Sequence, residues 1–198
     1  IVKRTIFFLH GFCSSPLSGK AVATKRHFGR LGWRVYAPDL TWAPKTADRL
    51  LEDFVSRIRG DWAVFGSSLG GFYAARLAHR HGVPAVLLNP CTNPWATVPS
   101  LVGEHEIYGW PGRRIVVTER FAEDFRELAR ETPLTLPASR RLLVLSDRDE
   151  VLDRNDALKL YGEENLVTSE DDWHQLHHYE QHLPAIERFL EEAFGAAR

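Results

Sequence analysis

The sequence predicts an α/β fold: a mostly parallel sheet of about six strands, with helices on both faces. Six apolar runs of strand length alternate along the 198 residues with segments of helical apolar spacing. Runs that are apolar throughout, such as residues 5–10, are typical of strands buried on both faces of a parallel sheet. No repeat, linker or low-complexity tract interrupts the alternation, so a single domain over residues 1–198 is expected.

The first half of the chain supplies four strands and three helices. Ser18 can cap a helix over residues 20–31, and Thr46 can cap a second helix that stops at Gly60. A third helix follows a glycine-rich turn and ends at Gly82, where a left-handed C-terminal cap is expected. The predicted strands occupy residues 5–10, 33–37, 62–66 and 84–89.

Residues 90–113 break this alternation, because proline and glycine interrupt any long element. We expect a small cap-like insertion over the strand ends, in which Trp95, Tyr108 and Trp110 either line a pocket or pack into the core. In the later elements, Asp153 can cap a short helix and Pro184 is placed as a first-turn proline of the closing helix. These later elements are an extended piece at 115–118, a helix at 119–131, and strands at 141–146 and 165–168.

Composition excludes several classes of partner. A formal net charge of -1 gives no electrostatic reason to expect nucleic acid or an anionic membrane surface. No apolar run approaches the roughly 20 residues of a membrane span. The first residues do not resemble a signal peptide, and two cysteines are too few for a disulfide scaffold, so a cytoplasmic protein with reduced thiols is expected. Composition gives no indication of oligomeric state.

The turn after the third strand contains G-x-S-x-G, with Ser68 at its centre. This is the pattern of a nucleophile elbow, in which a tight strand-to-helix turn exposes a serine hydroxyl. Gly66 and Gly70 would leave room where a side chain would collide with the turn. The segment fits neither of the glycine-rich patterns that bind nucleotide phosphates. Ser68 is therefore the candidate nucleophile.

The candidate acid follows the fifth strand. Ligands bind beyond the C-terminal ends of strands in open parallel sheets, so the polar residues at those ends are informative. Asp147, Asp149, Glu150 and Asp153 all follow this strand. Asp153 has a sufficient role as a helix cap and Asp147 as a residue that closes the turn, which favours Asp149. A serine, an acid and a histidine then follow in the chain order of an α/β-hydrolase triad.

His174 is the candidate base, because it is the first histidine after the sixth strand. His177, His178 and His182 crowd the same segment, and the His178-x-x-x-His182 spacing could face a metal from one helix turn. No acidic or cysteine residue at ligand spacing supports a metal site, so none is expected and these histidines are interpreted as solvated or capping residues. His10 is expected to shape the first loop through hydrogen bonds.

Two backbone amides are candidates for the oxyanion hole. The Leu69 N–H follows the nucleophile at a helix start, where free amides and the helix dipole favour negative charge. The second donor should come from the loop after the first strand, and Phe12 N–H is the choice. Cys13 lies beside it but lacks an elbow, so a packing or incidental role is expected.

Several of these segments together resemble the YqiA-like small esterase family of the α/β-hydrolase superfamily. They are His10-Gly-Phe-Cys-Ser-Ser-Pro16, Gly66-Ser-Ser-Leu-Gly-Gly-Phe-Tyr-Ala74, Leu88-Asn-Pro90, Asp149-Glu-Val-Leu-Asp153, and His174 followed by Tyr179-Glu. The resemblance implies an α/β-hydrolase fold, esterase activity on acyl esters or thioesters, and Ser68, Asp149 and His174 as the triad. The chain departs from the family at Cys13, where Asn is frequent, and around Trp173-His174, where Asn-His is more usual.

The expected function is that of a serine hydrolase (a carboxylesterase) that cleaves small-molecule acyl esters through an acyl-enzyme, without a cofactor. A thioesterase or a transacylase would use the same residues. A hydrolase-fold binding protein that has lost catalysis is a further alternative, although the presence of serine, acid and histidine argues against it. The sequence does not indicate the natural ester.

Overall fold

A computed structural model describes residues 4–196. Its main sheet has six strands in the order β2-β1-β3-β4-β7-β8, and every neighbouring pair is parallel. Strands β5 and β6 form a separate antiparallel hairpin. The strands are β1 (Thr5–Leu9), β2 (Arg34–Tyr36), β3 (Trp62–Ser67), β4 (Ala85–Leu88), β5 (Gly103–Glu106), β6 (Arg114–Val117), β7 (Arg141–Ser146) and β8 (Leu166–Ser169).

Helices cover both faces of the main sheet, which makes three layers. They are α1 (Gly19–Arg30), α2 (Pro44–Val55), α3 (Leu69–His81), α4 (Pro94–Thr97), α5 (Arg120–Glu131), α6 (Arg154–Tyr161) and α7 (Tyr179–Ala196). Successive side chains of a strand point to opposite faces. Phe7 and Leu9 of β1 therefore join a core with α2, α3, α5 and α6, whereas Ile6 and Phe8 join a core with α1 and α7.

The predicted fold class is confirmed, and each predicted strand of the main sheet agrees with the structure to within one residue at either end. All five residues of β1 are buried, as its continuous apolar run indicates. The Ser18 cap and the left-handed Gly82 cap also form as predicted. Among the helices of residues 4–196, none combines the length and the apolar character that a bilayer crossing requires.

Two predicted helix starts are wrong. Helix α2 begins at Pro44, with Ala43 and not Thr46 at its cap position. A first-turn proline has a helical φ and no N–H that needs a partner, so no side-chain cap is required. Helix α7 begins at Tyr179, which places Pro184 inside the helix. Proline has no N–H, so Pro184 cannot donate to the carbonyl four residues earlier, that of Glu180. Glu180 is exposed, and water can hydrate this carbonyl instead.

Residues 90–113 contain α4, a 3₁₀ turn at Val98–Leu101 and β5, whose partner β6 extends to Val117. The hairpin itself was not predicted from the sequence. It contacts the loops after β1 and β2: the Tyr108 N–H donates to the Cys13 carbonyl at 2.9 Å, and the Arg113 guanidinium donates to Asp39 at 2.9 Å. The segment therefore lies at the C-terminal edge of the sheet.

Candidate active site

Ser68 lies between the last residue of β3 and the first residue of α3, in a strained backbone conformation with φ 54° and ψ -119°. Few non-glycine residues adopt a positive φ, and those that do are frequent at functional sites. Its N–H donates to the Leu88 carbonyl at 3.0 Å, and its own carbonyl accepts from the Cys91 N–H at 2.9 Å. The turn is therefore held on both sides by the chain that leaves β4.

Three glycines allow this turn to pack closely. A Cβ atom on Gly66 would lie 2.6 Å from the Cβ of Ala74, and one on Gly70 would lie 2.6 Å from the carbonyl carbon of Leu9. A Cβ atom on Gly71 would lie 2.5 Å from that of Pro90, a contact that the sequence did not suggest. Only hydrogen atoms fit in these spaces, which agrees with the reason given above for Gly66 and Gly70.

Ser68, His174 and Asp149 form one chain of hydrogen bonds. His174 Nε2 lies 2.9 Å from Ser68 Oγ, and His174 Nδ1 lies 2.9 Å from each carboxylate oxygen of Asp149. The side chains of His174 and Asp149 are only 8% and 3% exposed. An Nδ1–H tautomer satisfies both contacts, because it donates to the carboxylate and leaves Nε2 to accept the serine proton. The three residues singled out from the sequence therefore meet.

Asp149 lies just beyond β7, and its carboxylate also accepts the N–H groups of Val151 and Leu152 at 2.9 Å. Burial acts to raise the pKa of this carboxyl group, but the hydrogen bonds from His174 and the two amides outweigh it, so the pKa lies below its usual range. The group is therefore ionised at neutral pH.

The other three acids near the end of β7 have different partners. Asp147 accepts the backbone N–H groups of Asp171 and Asp172 at 3.0 and 3.1 Å, which joins the loop after β7 to the loop after β8. Asp153 accepts the Asn155 N–H and caps α6. Glu150 accepts the N–H of His174 at 2.9 Å and so holds the backbone of that histidine.

The loop that carries His174 is organised by Asp172, a role that the sequence did not reveal. Asp172 is fully buried, and its carboxylate accepts the N–H groups of Trp173, His177 and His178 as well as the Ser169 hydroxyl. A buried acid that satisfies several loop amides fixes the path of the loop. In the sequence, the one indication of this role is that Asp172 stands at the start of the loop that follows β8.

Leu69 directly follows Ser68, and Phe12 lies in the loop that passes beside it. A Cβ atom built on Gly11 would lie 3.2 Å from that of Ser68, so the loop after β1 passes directly beside the serine. Within residues 4–196, neither the Phe12 N–H nor the Leu69 N–H donates a hydrogen bond to another protein group. Two unpartnered amides beside a serine are what an oxyanion hole needs.

His10 has the role expected of it. Its Nδ1 lies 2.8 Å from the Gly11 carbonyl, and its Nε2 accepts the Leu40 N–H at 2.9 Å. Burial lowers the pKa of the His10 side chain. A neutral imidazole that donates through Nδ1 and accepts through Nε2 joins the loops after β1 and β2, and both of its nitrogens are engaged.

An apolar cavity lies beside the two amides, between the loop after β1, α3, α5 and the hairpin. It is narrow and partly open to solvent. Its apolar wall includes Leu40, Trp42, Val98, Ile115, Val117, Phe121 and Phe125. Trp95, Tyr108 and Trp110 do not line this cavity in the described part of the chain. Tyr108 is 88% exposed, and Trp95 packs against the core instead.

The later histidines form hydrogen bonds at the start of α7. His182 Nε2 lies 2.7 Å from Ser169 Oγ, and His178 Nδ1 lies 3.2 Å from the Glu170 carbonyl. No group of three metal-ligating side chains is found among residues 4–196. His178 and His182 therefore form hydrogen bonds with Glu170 and Ser169 near the end of β8.

A three-layer parallel sheet with a serine after β3, an acid after β7 and a histidine after β8 has the architecture of the α/β-hydrolase superfamily. Solved structures agree on the fold. Est1E from Butyrivibrio proteoclasticus superposes with a TM-score of 0.73 at 18% identity, covering 98% of this chain and 89% of that one. The monoacylglycerol lipase of Paleococcus ferrophilus gives 0.68 at 13% identity, with 95% and 94% covered.

The chain belongs to UPF0227, an uncharacterised protein family whose model matches residues 5–191. The resemblance to YqiA-like proteins is thereby confirmed. A UPF0227 protein of Serratia proteamaculans is 32% identical over 127 residues, which are 64% of this chain and 63% of that protein. The match to this relative therefore spans less than two thirds of its length.

Proposed function

We propose that the protein is a serine hydrolase that cleaves carboxylic esters, with Ser68 as nucleophile, His174 as general base and acid, and Asp149 as the residue that orients the imidazole. The observation that supports this best is the continuous hydrogen-bonded chain from Ser68 Oγ through His174 to Asp149, with 2.9 Å at each contact. The strained serine at the turn and the two free amides beside it support the same chemistry.

In acylation, Ser68 Oγ forms a bond to the carbonyl carbon of the ester while its proton passes to His174 Nε2. The electron pair of the carbonyl π bond moves to oxygen, and the resulting oxyanion accepts hydrogen bonds from the Phe12 and Leu69 amides. The C–O bond to the alcohol then breaks, and Nε2 gives its proton to the departing oxygen. The acyl group remains as an ester on Ser68.

In deacylation, water takes the place of the alcohol. His174 Nε2 removes one proton from water as its oxygen bonds to the acyl carbon, and the oxyanion forms in the same place. Collapse breaks the bond to Ser68 Oγ, which recovers the proton, and the carboxylic acid leaves. Every proton transfer uses Nε2, so the Asp149 contact with Nδ1 matters throughout, because it keeps the ring in the productive tautomer.

We place the acyl group of the substrate in the apolar cavity beside Phe12 and Leu69, because its wall is aliphatic and aromatic. The substrate class is then an ester or thioester with an apolar acyl group. The description of the Paleococcus structure as a monoacylglycerol lipase agrees with this chemistry. The free thiols of Cys13 and Cys91 favour a cytoplasmic location.

The test is Ser68→Ala, assayed with short nitrophenyl esters and with a fluorophosphonate probe. We expect kcat to fall by about 10⁴-fold or more and labelling to disappear, because the attacking oxygen is absent. Ser56→Ala is the matched control, since Ser56 is exposed at the end of α2 and should leave both measurements unchanged. Full hydrolysis by Ser68→Ala, or loss of labelling in Cys13→Ser instead, would contradict the assignment.

Two further arms separate the alternatives. A matched pair of an oxygen ester and a thioester with the same acyl group measures ester against thioester preference through kcat/KM. An added alcohol that competes with water distinguishes a transacylase by the new ester it forms. A native protein whose Ser68 fails to react with the fluorophosphonate would favour a binding protein instead.

A further inference from the structure

The chain that leaves β4 passes between Ser68 and the loop of His174. Leu88 and Cys91 hold the backbone of Ser68 from both sides, through the hydrogen bonds of 3.0 and 2.9 Å described above. Asn89 lies between them, 3% exposed, and its side chain points toward the histidine. One short segment therefore contacts both reacting residues.

The Asn89 side chain is hydrogen bonded at both ends of its amide. Nδ2 donates to the carbonyl of His174 at 3.1 Å and to Ser146 Oγ at 2.8 Å. Oδ1 accepts the N–H of Ser146 at 2.8 Å. Ser146 Oγ in turn donates to the Trp173 carbonyl at 2.6 Å. Because a backbone carbonyl can only accept, these partners fix which end of the amide carries the nitrogen.

From these contacts we infer that Asn89 is a positioning residue for His174, an inference that rests on the function proposed for Ser68 and His174. The His174 backbone is held at its N–H by the exposed Glu150 and at its carbonyl by the buried Asn89. Asn89 is covalently continuous with the two residues that hold Ser68. It thus sets the distance between Ser68 Oγ and His174 Nε2 without touching the reacting atoms.

The residue type suits this role in two ways. Asn89 has φ 41°, in the left-handed region that asparagine adopts more readily than most side chains. Its amide is also short and carries both a donor and an acceptor, as the contacts with the His174 carbonyl and the Ser146 N–H require. Aspartate would keep the shape and the acceptor but would have no donor for the carbonyl.

The test is Asn89→Asp. A carboxylate oxygen would then face the His174 carbonyl in place of an N–H donor, so the histidine backbone should move away. We expect kcat per fluorophosphonate-titrated site to fall about 10²-fold with little change in KM, because small misplacements of a catalytic group cost about that much. The rate constant for fluorophosphonate labelling should fall in parallel.

Asn165→Asp is the matched control. Asn165 also has a left-handed backbone, with φ 50°, and its Nδ2 also donates to a backbone carbonyl, that of Ala138 at 2.7 Å. It precedes β8, at the end of the strand opposite to His174. This variant should retain the native kcat and labelling rate, and any loss of stability that it shows gives the cost of such a bond away from the site.

A second variant covers the case in which Asn89→Asp does not fold. Asn89→Gly removes the side chain but adopts a positive φ without strain, and it should show the same fall in kcat per titrated site. Native kcat per titrated site in a folded variant, whatever its melting temperature, would overturn the inference and leave Asn89 a structural residue. Failure of the native protein and of Asn165→Asp to react with the probe would instead refute the proposed function.

Discussion

At the scale of single residues, the environment of Asp149 determines what its carboxylate can do. It receives three N–H donors, from His174, Val151 and Leu152. The two backbone donors fix the position of the carboxylate, and the carboxylate in turn fixes the orientation of the imidazole ring. Because the pKa of Asp149 lies below its usual range, the carboxylate is ionised and can accept a hydrogen bond from His174 Nδ1.

Replacing this carboxylate tests that description. In the Asp149→Asn variant, a side-chain amide N–H facing Nδ1 would favour the other tautomer, in which Nε2 carries the proton and cannot accept one from Ser68. We expect kcat to fall by about 10²- to 10⁴-fold with KM nearly unchanged. The measurement is steady-state hydrolysis of a nitrophenyl ester, with active sites counted by fluorophosphonate titration after long incubation.

Asp153→Asn is the matched control for this prediction. Its side-chain oxygen can still accept the Asn155 N–H and cap α6, because asparagine and aspartate are similar caps. Both kcat and stability should stay close to native. Equal losses of activity in the two variants would mean that negative charge near the end of β7, and not the contact with His174, is what matters.

The sequence could predict the three residues that meet at the candidate site but not those that hold them. Ser68, Asp149 and His174 each follow a strand of the parallel sheet, and the strands were recognisable from their apolar runs. Asn89 and Asp172 act on backbone groups of loops, and their partners depend on the path of the chain in space. No spacing rule encodes such contacts, so these two roles appear only in the structure.

At the scale of elements, the elbow depends on how closely α3 approaches β1 and the chain after β4. Gly70 faces the carbonyl group of Leu9, and Gly71 faces Pro90. The close approach of Gly70 to Leu9 brings the start of α3 next to the chain that leaves β1. A side chain at Gly70 would therefore separate α3 from β1, the two elements that precede or carry the amides proposed for the oxyanion hole.

We therefore expect Gly70→Ala to lower the free energy of unfolding by about 1–3 kcal/mol, as overpacked substitutions do. We expect activity to fall as well. Gly29→Ala is the control, because Gly29 lies in helix α1 and an added methyl group would have nothing within 4 Å of it. That variant should gain up to about 1 kcal/mol through helix propensity. Denaturant unfolding measures the stability of both variants. A Gly70→Ala variant with native stability would contradict the packing argument.

The hairpin β5–β6 shows where sequence patterns fail at this scale. Strand β5 is Gly103-Glu-His-Glu106, which has no apolar residue to mark a buried face. Its pairing with β6 stabilises it, and so do the contacts of the turn between the two strands with the loops after β1 and β2. Strand propensity depends on such context. The strands of the main sheet were predictable because burial on both faces requires continuous apolar runs.

At the scale of the whole molecule, one buried ion pair joins three helices on the same face of the sheet. Arg76 of α3 is fully buried, and its guanidinium donates to both carboxylate oxygens of Asp48 in α2, at 3.0 and 3.1 Å. It also donates to the Leu128 carbonyl in α5. Since α3 begins at the elbow, this pair fixes the helix that carries the Leu69 amide against its neighbours.

The net contribution of such a pair differs from the cost of breaking it. Burying two charges is expensive, and their attraction only compensates when both partners are present. Burial raises the pKa of Asp48, but hydrogen bonds and charge from Arg76 and Arg80 outweigh it and hold the pKa below its usual value. The stabilisation from this shift is therefore complete above the ordinary pKa of 3.8 and is lost as pH falls through the lower folded-state value.

A double-mutant cycle measures how strongly Asp48 and Arg76 are coupled in the free energy of unfolding. Asp48→Leu leaves Arg76 buried without its carboxylate and should cost about 3–5 kcal/mol of unfolding free energy. Arg76→Met should cost less, because Arg80 lies 3.4 Å from both Asp48 oxygens and can still pair with it. The double variant should recover most of the loss, since no buried charge of the pair remains.

The stability of the double variant relative to native should also rise as pH falls below 3.8, because it lacks the Asp48 titration. Additive losses in the two single variants, with no such pH dependence, would show that the pair is not coupled.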